Sequence, residues 1–210
     1  MSARPAARGS PGLAAALLGR ALQAHQAGDL VTAQALYAKV LQASPREFGA
    51  LYALGVSYCQ QRQHARGVPL IEQALAVRPD YPEAHSNLAD ALNALARHEE
   101  AITHGERALA LDPACAEACI NLGNALLALA RHDEAIARYE QAVAIKPAYA
   151  EAHCSLGAAL RALARHGEAV GCYERAVALR PAYSEAYLHL GDTLQTLGRY
   201  DEAIARYEQA

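Results

Sequence analysis

The chain has 210 residues, 53% of them apolar and 20% charged, and 19 Lys and Arg against 22 Asp and Glu leave a net charge of −3. The basic residues form no run, so the electrostatic footprint of a DNA- or RNA-binding protein is absent, and the longest apolar run is about half of the roughly 20 residues that a membrane-spanning helix needs. Five cysteines are an odd number for a disulfide framework and suit a reducing compartment, which makes a cytoplasmic location the expectation.

The chain opens with MSARPAARGSPG, rich in Pro, Gly, Arg and Ser, and its first acid is Asp29. Residues 1–13 are expected to form a disordered leader. Beyond them a period takes over: Pro45, Pro79, Pro113, Pro147 and Pro181 stand 34 residues apart. A fixed period of this length is the mark of a solenoid of helix pairs, in which each unit packs on its neighbours. With proline at repeat position thirty-two, the units are 14–47, 48–81, 82–115, 116–149, 150–183 and a partial 184–210, and residues 14–210 form the array.

Columns that did not define this register agree with it. Position eight reads Ala21, Gly55, Ala89, Gly123, Gly157, Gly191, and position twenty reads Ala33, Gly67, Ala101, Ala135, Ala169, Ala203. Position seven is Leu54, Leu88, Leu122, Leu156 and Leu190 after the first unit. Positions four, seven, eight and eleven make one stripe of a helix, and positions twenty, twenty-four and twenty-seven make another, so each unit holds two amphipathic helices. Small residues at eight and twenty allow close approach, with Tyr139 and Tyr173 filling the flanks, and each proline ends the second helix of its unit. Two local departures stand out. Pro69 lies inside the second helix of unit 48–81 and predicts a late start or a kink there, and Gly105 replaces the tyrosine of position twenty-four in unit 82–115 and predicts a loose second helix.

This pattern resembles the tetratricopeptide repeat, W-x2-L-G-x2-Y, then A-x3-F, then P. Stretches 83–102 and 117–147 are most similar to the bacterial arrays that precede O-linked N-acetylglucosamine transferase-like catalytic domains. The departures are at position four, where His85, Cys119 and His153 replace the aromatic, and at Arg20, where leucine is expected. The resemblance implies an all-α fold, a right-handed superhelical solenoid of antiparallel helix pairs whose first helices line a concave groove. It further implies that positions two, five, six, nine, twelve and thirteen face that groove. The candidate partner-binding residues are then Glu83, Asn87, Asp90, Asn93, Asn121, Asn124, Ser155, Arg161, His189 and Asp192.

An asparagine amide pairs with both the C=O and the N–H of an extended peptide without reading its side chains. Asn87 and Asn121 share position six and form a two-rung ladder, of the kind that in the transferase resemblance grips the backbone of target proteins. Position five carries no lysine, so a clamp for a C-terminal carboxylate is not expected. The groove from the third unit onward counts six acids against Arg161, which favours neutral or basic partner segments.

No residue set points to catalysis or to a cofactor. His64, His98, His132 and His166 recur at position seventeen, one per unit, and cannot converge on one metal ion at ~2 Å. Glu100, Glu134, Glu168 and Glu202 recur likewise and are expected to serve as ion pairs in the first turn of the second helices. Gly-rich phosphate loops, nucleophile elbows and strand patterns are lacking. The expectation is a non-enzymatic interaction scaffold, or alternatively the substrate-recruiting arm of a larger glycosyltransferase-like enzyme. Because the chain stops at Ala210, within the sixth unit, self-association that hides Leu190, Leu194, Ile204 and Tyr207 is a further expectation.

Overall fold

The computed structural model of the chain describes residues 11–210, which form twelve α-helices and no strand. They divide into two compact units at Leu95 and Ala96. The first unit holds α1 (Pro11–Gln26), α2 (Leu30–Ala43), α3 (Phe48–Gln60), α4 (His64–Val77) and α5 (Pro82–Ala94). The second holds α6 (His98–Leu111), α7 (Ala116–Ala128), α8 (His132–Ile145), α9 (Ala150–Ala162), α10 (His166–Leu179), α11 (Ser184–Thr196) and α12 (Tyr200–Tyr207). The first ten residues of the expected leader lie outside the described residues, and α1 begins at Pro11.

Two backbone devices punctuate the helices. The C-caps of α2, α4, α6, α8 and α10 are Ser44, Arg78, Asp112, Lys146 and Arg180, with φ between −129° and −141°. Each precedes one of the periodic prolines, whose ring excludes α geometry from the residue before it. The odd helices stop differently, at position fifteen, where Gly28, Arg62, Ala96, Ala130, Ala164 and Gly198 take the left-handed conformation with φ of 57° to 79°. After α7 the Ala130 N–H donates to the Leu127 carbonyl at 3.0 Å and the Arg131 N–H to the Leu126 carbonyl at 2.9 Å, which is the Schellman closure.

Pairs α1 with α2, α3 with α4, α7 with α8, α9 with α10 and α11 with α12 pack as hairpins, and each hairpin within a unit packs its second helix on the next first helix. Within a unit the odd helices also touch one another, α1 on α3 and α3 on α5, then α7 on α9 and α9 on α11, whereas no two even helices do. The odd layer is the more closely spaced, so each unit curves around it.

The contact that sets hairpin spacing joins position eight to position twenty-four. A Cβ built on Gly123 would come within 2.6 Å of the Tyr139 ring, on Gly157 within 2.8 Å of Tyr173, and on Gly191 within 2.5 Å of Tyr207. Real Cβ atoms do not approach so closely, so the tyrosine ring lies directly over the missing side chain and does not fill the flanks as the sequence suggested. Tyr37, Tyr139 and Tyr173 are fully buried, and the column of Leu54, Leu88, Leu122, Leu156 and Leu190 is at most 8% exposed. Each such leucine contributes roughly 1.5–3 kcal/mol by leaving water.

A phenol drawn in over the glycine needs a hydrogen-bond partner; His25 meets Tyr37 at 3.2 Å, and in two later repeats position nine supplies it. Tyr139 Oη donates to Asn124 Oδ1 at 2.8 Å, and Tyr207 Oη donates to Asp192 Oδ1 at 2.9 Å. In the intervening repeat position nine is Ala158, and the buried Tyr173 hydroxyl has no partner.

Both local departures resolve without a broken helix. Helix α4 starts at His64, the same repeat position as α6, α8 and α10, so Pro69 does not delay it. Ala65, whose carbonyl the Pro69 N–H would have served, is exposed and open to water. Helix α6 runs unbroken through Gly105, which is packed against α7: a Cβ there would stand 3.0 Å from that of Leu122.

These contacts set the direction of three substitutions, each read as a shift in the urea midpoint followed by circular dichroism. Gly123→Val should destabilise by about 1–3 kcal/mol, since the Tyr139 ring cannot retreat. Ala130→Gly should stabilise by about 0.5–1 kcal/mol, because the left-handed backbone costs alanine ~1–2 kcal/mol and the extra chain entropy of glycine offsets part of the gain. Ala158→Asn should also stabilise, by about 1 kcal/mol: relieving an unsatisfied buried hydroxyl is worth ~1–3 kcal/mol, more than the helix-propensity loss of ~0.7. An unchanged or lowered midpoint for Ala158→Asn would show that the Tyr173 hydroxyl lacks nothing.

Candidate binding groove

The residues expected to face a partner all lie on odd helices, the closely spaced inner layer of each unit. In the first unit α5 carries Glu83, Asn87, Asp90 and Asn93 at a spacing that keeps them on one side of the helix. Asn87 is half-buried, and its Nδ2 donates to the Tyr52 hydroxyl at 2.6 Å. Tyr52 is held in turn by an aromatic cluster, stacked on Phe48 with centroids 5.9 Å apart and edge-on to Tyr81 at 5.4 Å. Burial of this phenol, helped by the nearby Tyr81, pushes its pKa up to about 12, so it stays a neutral acceptor for the amide. Asp90 is exposed by surface area, yet concave walls crowd its carboxyl and raise its pKa above the ordinary range, opposed by the charge of His64 when protonated.

In the second unit Asn121 and Asn124 stand on α7, Ser155 and Arg161 on α9, and His189 and Asp192 on α11. Arg161 Nη1 lies 3.6 Å from Asp192 Oδ2, and His189 Nε2 lies 3.6 Å from Glu185 Oε1. The rings of Tyr173 and His189 are 5.7 Å apart, which draws Arg161, Tyr173, His189 and Asp192 into one polar cluster. Asn87 belongs to the first unit and Asn121 to the second, and each is half-buried on its own helix.

The sequence count of groove charge missed two cations. Lys146 Nζ meets Glu117 Oε1 at 3.3 Å, and Arg180 Nη2 donates to Glu151 Oε1. Both bases sit at position thirty-one, next to the proline, and reach back to position two of the same repeat. With Asp192 paired to Arg161 as well, three of the six acids counted from sequence have a cationic neighbour. The signal was present as a basic residue recurring before Pro79, Pro147 and Pro181.

The other recurring polar residues have structural employment. Glu100, Glu134, Glu168 and Glu202 form bidentate pairs with Arg97, Arg131, Arg165 and Arg199 at 2.7 Å, all exposed. Such solvent-screened pairs contribute little to stability. His85 and His153, which replace the aromatic of position four, donate from Nε2 to the carbonyls of Pro79 and Pro147 at 2.8 and 3.0 Å and so tie down the turn between repeats. His64, His98, His132 and His166 each occupy the first residue of a different helix. Among the described residues no group of three His, Cys, Asp or Glu could hold a metal ion, and no helix is long and apolar enough to cross a membrane. Leu190 and Leu194 are already buried inside the last hairpin, whose large exposed apolar residues are Leu188, Leu197, Tyr200 and Ile204.

Profiles of the tetratricopeptide repeat match residues 52–116, 123–163, 150–183 and 172–205. No curated protein sequence matches the chain. Among solved structures, MamA is 28% identical over 76% of this chain and 93% of its own, with a TM-score of 0.68. PilW, described as a widely conserved type IV pilus biogenesis factor, is 20% identical over 93% of this chain and 90% of its own, with a TM-score of 0.83. YrrB, described as a TPR protein with an unusual peptide-binding site, is 21% identical over 81% of this chain and 88% of its own, with a TM-score of 0.67. The likeness to PilW and YrrB speaks for the fold alone. Periodic prolines, helix hairpins closed over glycine and the matching profiles agree: this chain carries tetratricopeptide repeats.

Proposed function

We propose that the chain is a protein-interaction scaffold that takes an extended peptide segment of a partner along its odd helices. The observation that carries this reading is the chemistry of that layer. Asn87, Asn93, Asn121, Asn124 and Ser155 put amide and hydroxyl groups at half-buried or exposed positions of the face around which each unit curves, and these groups suit a peptide backbone better than an apolar ligand. Exposed Leu188, at 47%, adds an apolar contact beside His189. The peptide-binding site ascribed to YrrB makes such a use of the fold reasonable.

Neutral or basic segments are the favoured partners, since Glu83, Asp90 and Glu185 lack the Lys or Arg neighbours that Glu117, Glu151 and Asp192 have. Five unpaired cysteines fit a reducing, cytoplasmic setting. Pairing of two copies through the last hairpin would rest on Leu197, Tyr200 and Ile204. The resemblance of stretches 83–102 and 117–147 to transferase-linked arrays, which rests on the sequence alone, motivates a second reading, a substrate-recruiting arm. A glycosyltransferase sequence continuing the gene beyond Ala210 would support it, and a stop codon there would remove it.

The test of the leading reading is selection of random twelve-residue peptides displayed against the full chain, followed by calorimetry. Selected peptides should weaken about tenfold on Asn87→Ala or Asn121→Ala, the equivalent of ~1.4 kcal/mol, and should bind less tightly as salt is raised. Selection of no peptide, or affinities indifferent to both substitutions, would end the groove assignment.

A further inference from the structure

Unit 48–81 lacks both members of the pair that joins positions twenty-four and nine in unit 116–149, and the departure leaves a hole. In unit 48–81 position twenty-four is Ile71 in place of tyrosine, and position nine is Val56 in place of its polar partner. Gly55 still leaves room for a ring: a Cβ there would stand 2.7 Å from Ile71 Cγ1, as Gly123 would from Tyr139. The space that a tyrosine's outer ring and hydroxyl would fill is a cavity of about 220 Å³, lined by Val56, Cys59, Gln60, Ile71, Asn87 and Asp90. That is below the roughly 300–1,000 Å³ of sites for cofactors and drug-sized ligands, and far above the space for one water. It is the size of one long side chain.

The lining is amphipathic in an ordered way. Val56 and Ile71 supply an apolar wall, and Asp90, Asn87 and Gln60 supply oxygens. Asp90 has no hydrogen bond and no Lys or Arg partner among the described residues, His64 being the charge that acts on it when protonated, and Asn87 donates from Nδ2 to Tyr52, which leaves its Oδ1 to accept. Gln60 Oε1 receives His25 Nε2 at 2.9 Å and retains a second lone pair. A carboxylate crowded by protein walls, with a histidine as its one opposing charge, is poorly compensated. Cys59, whose thiol burial holds protonated at about 11, adds no charge.

We propose that this cavity is a specificity pocket for a lysine side chain of the bound partner, its ammonium on Asp90, Asn87 and Gln60 and its methylene stem along Val56 and Ile71. The proposal rests on the reading of the inner helices as a peptide-binding surface. An ammonium has three donors for these three acceptors, and an aliphatic stem buries well on apolar walls.

The experiment titrates the full chain, methyl-labelled for NMR, with Nα-acetyl-lysine methylamide and with the uncharged norleucine analogue. The lysine probe should saturate shifts at the Val56 and Ile71 methyls, with at least tenfold weaker binding by the norleucine probe and by Asp90→Asn. Ile71→Tyr, which installs the residue that four of the other repeats use, should abolish the Val56 response while its urea midpoint stays at or above that of the parent. Equal responses to the two probes, an arginine probe binding as tightly, or an Asp90→Asn or folded Ile71→Tyr chain that still binds lysine would overturn the assignment. Because the probe is a single residue, its failure removes the pocket and leaves the scaffold reading standing, whereas failure of peptide selection leaves the probe result intact.

Discussion

The structure depends on how near the two helices of a hairpin can come. Glycine at position eight removes the Cβ that would collide with the ring at position twenty-four, as at Gly123 against Tyr139 and Gly191 against Tyr207. The close approach brings Ala135 and Ala169 at position twenty to zero exposure. It also sends the tyrosine hydroxyl through to the inner face, where Asn124 or Asp192 meets it. One steric choice thus links core packing to groove chemistry, because the residue that satisfies the buried phenol is itself a groove residue.

That linkage explains why departures from the column are more informative than the column itself. Where the ring is kept and its partner lost, at Tyr173 and Ala158, a buried hydroxyl is stranded beside Arg161 and His189. Where both ring and partner are lost, at Ile71 and Val56, the hairpin stays closed on Gly55 but the inner face opens into a cavity. Identical repeats could offer a partner only a uniform surface. Departures of this kind give individual repeats different pockets at little cost to the packing that holds them together.

Much of this architecture was legible in the amino-acid order. The 34-residue proline period located the ends of α2, α4, α6, α8 and α10, because the pre-proline restriction is local and acts through the adjacent residue alone. The stripe of Leu88, Leu122 and Leu156 likewise marked the buried face of the first helices. Pairings across the hairpin were not legible. That Tyr139 covers Gly123, sixteen positions earlier, requires knowing how two helices face one another. Pro69 misled for a related reason: its cost depends on whether the freed carbonyl meets water, and only the fold shows Ala65 to be exposed.

Charge shows the same division between composition and geometry. Counted along the inner positions, the acids outnumber the bases six to one, which by itself predicts a strongly negative surface. Lys146 and Arg180 come from the far end of their repeats to Glu117 and Glu151, and each also lies over a tyrosine ring, Tyr149 at 4.2 Å and Tyr183 at 4.9 Å from its centroid. The ring fixes the cation and the cation neutralises the glutamate, so position two of these repeats becomes part of the scaffold. The charge left to act on a partner is concentrated where no such base reaches, and Asp90, crowded and with no Lys or Arg beside it, is the residue at which crowding and an open cavity coincide.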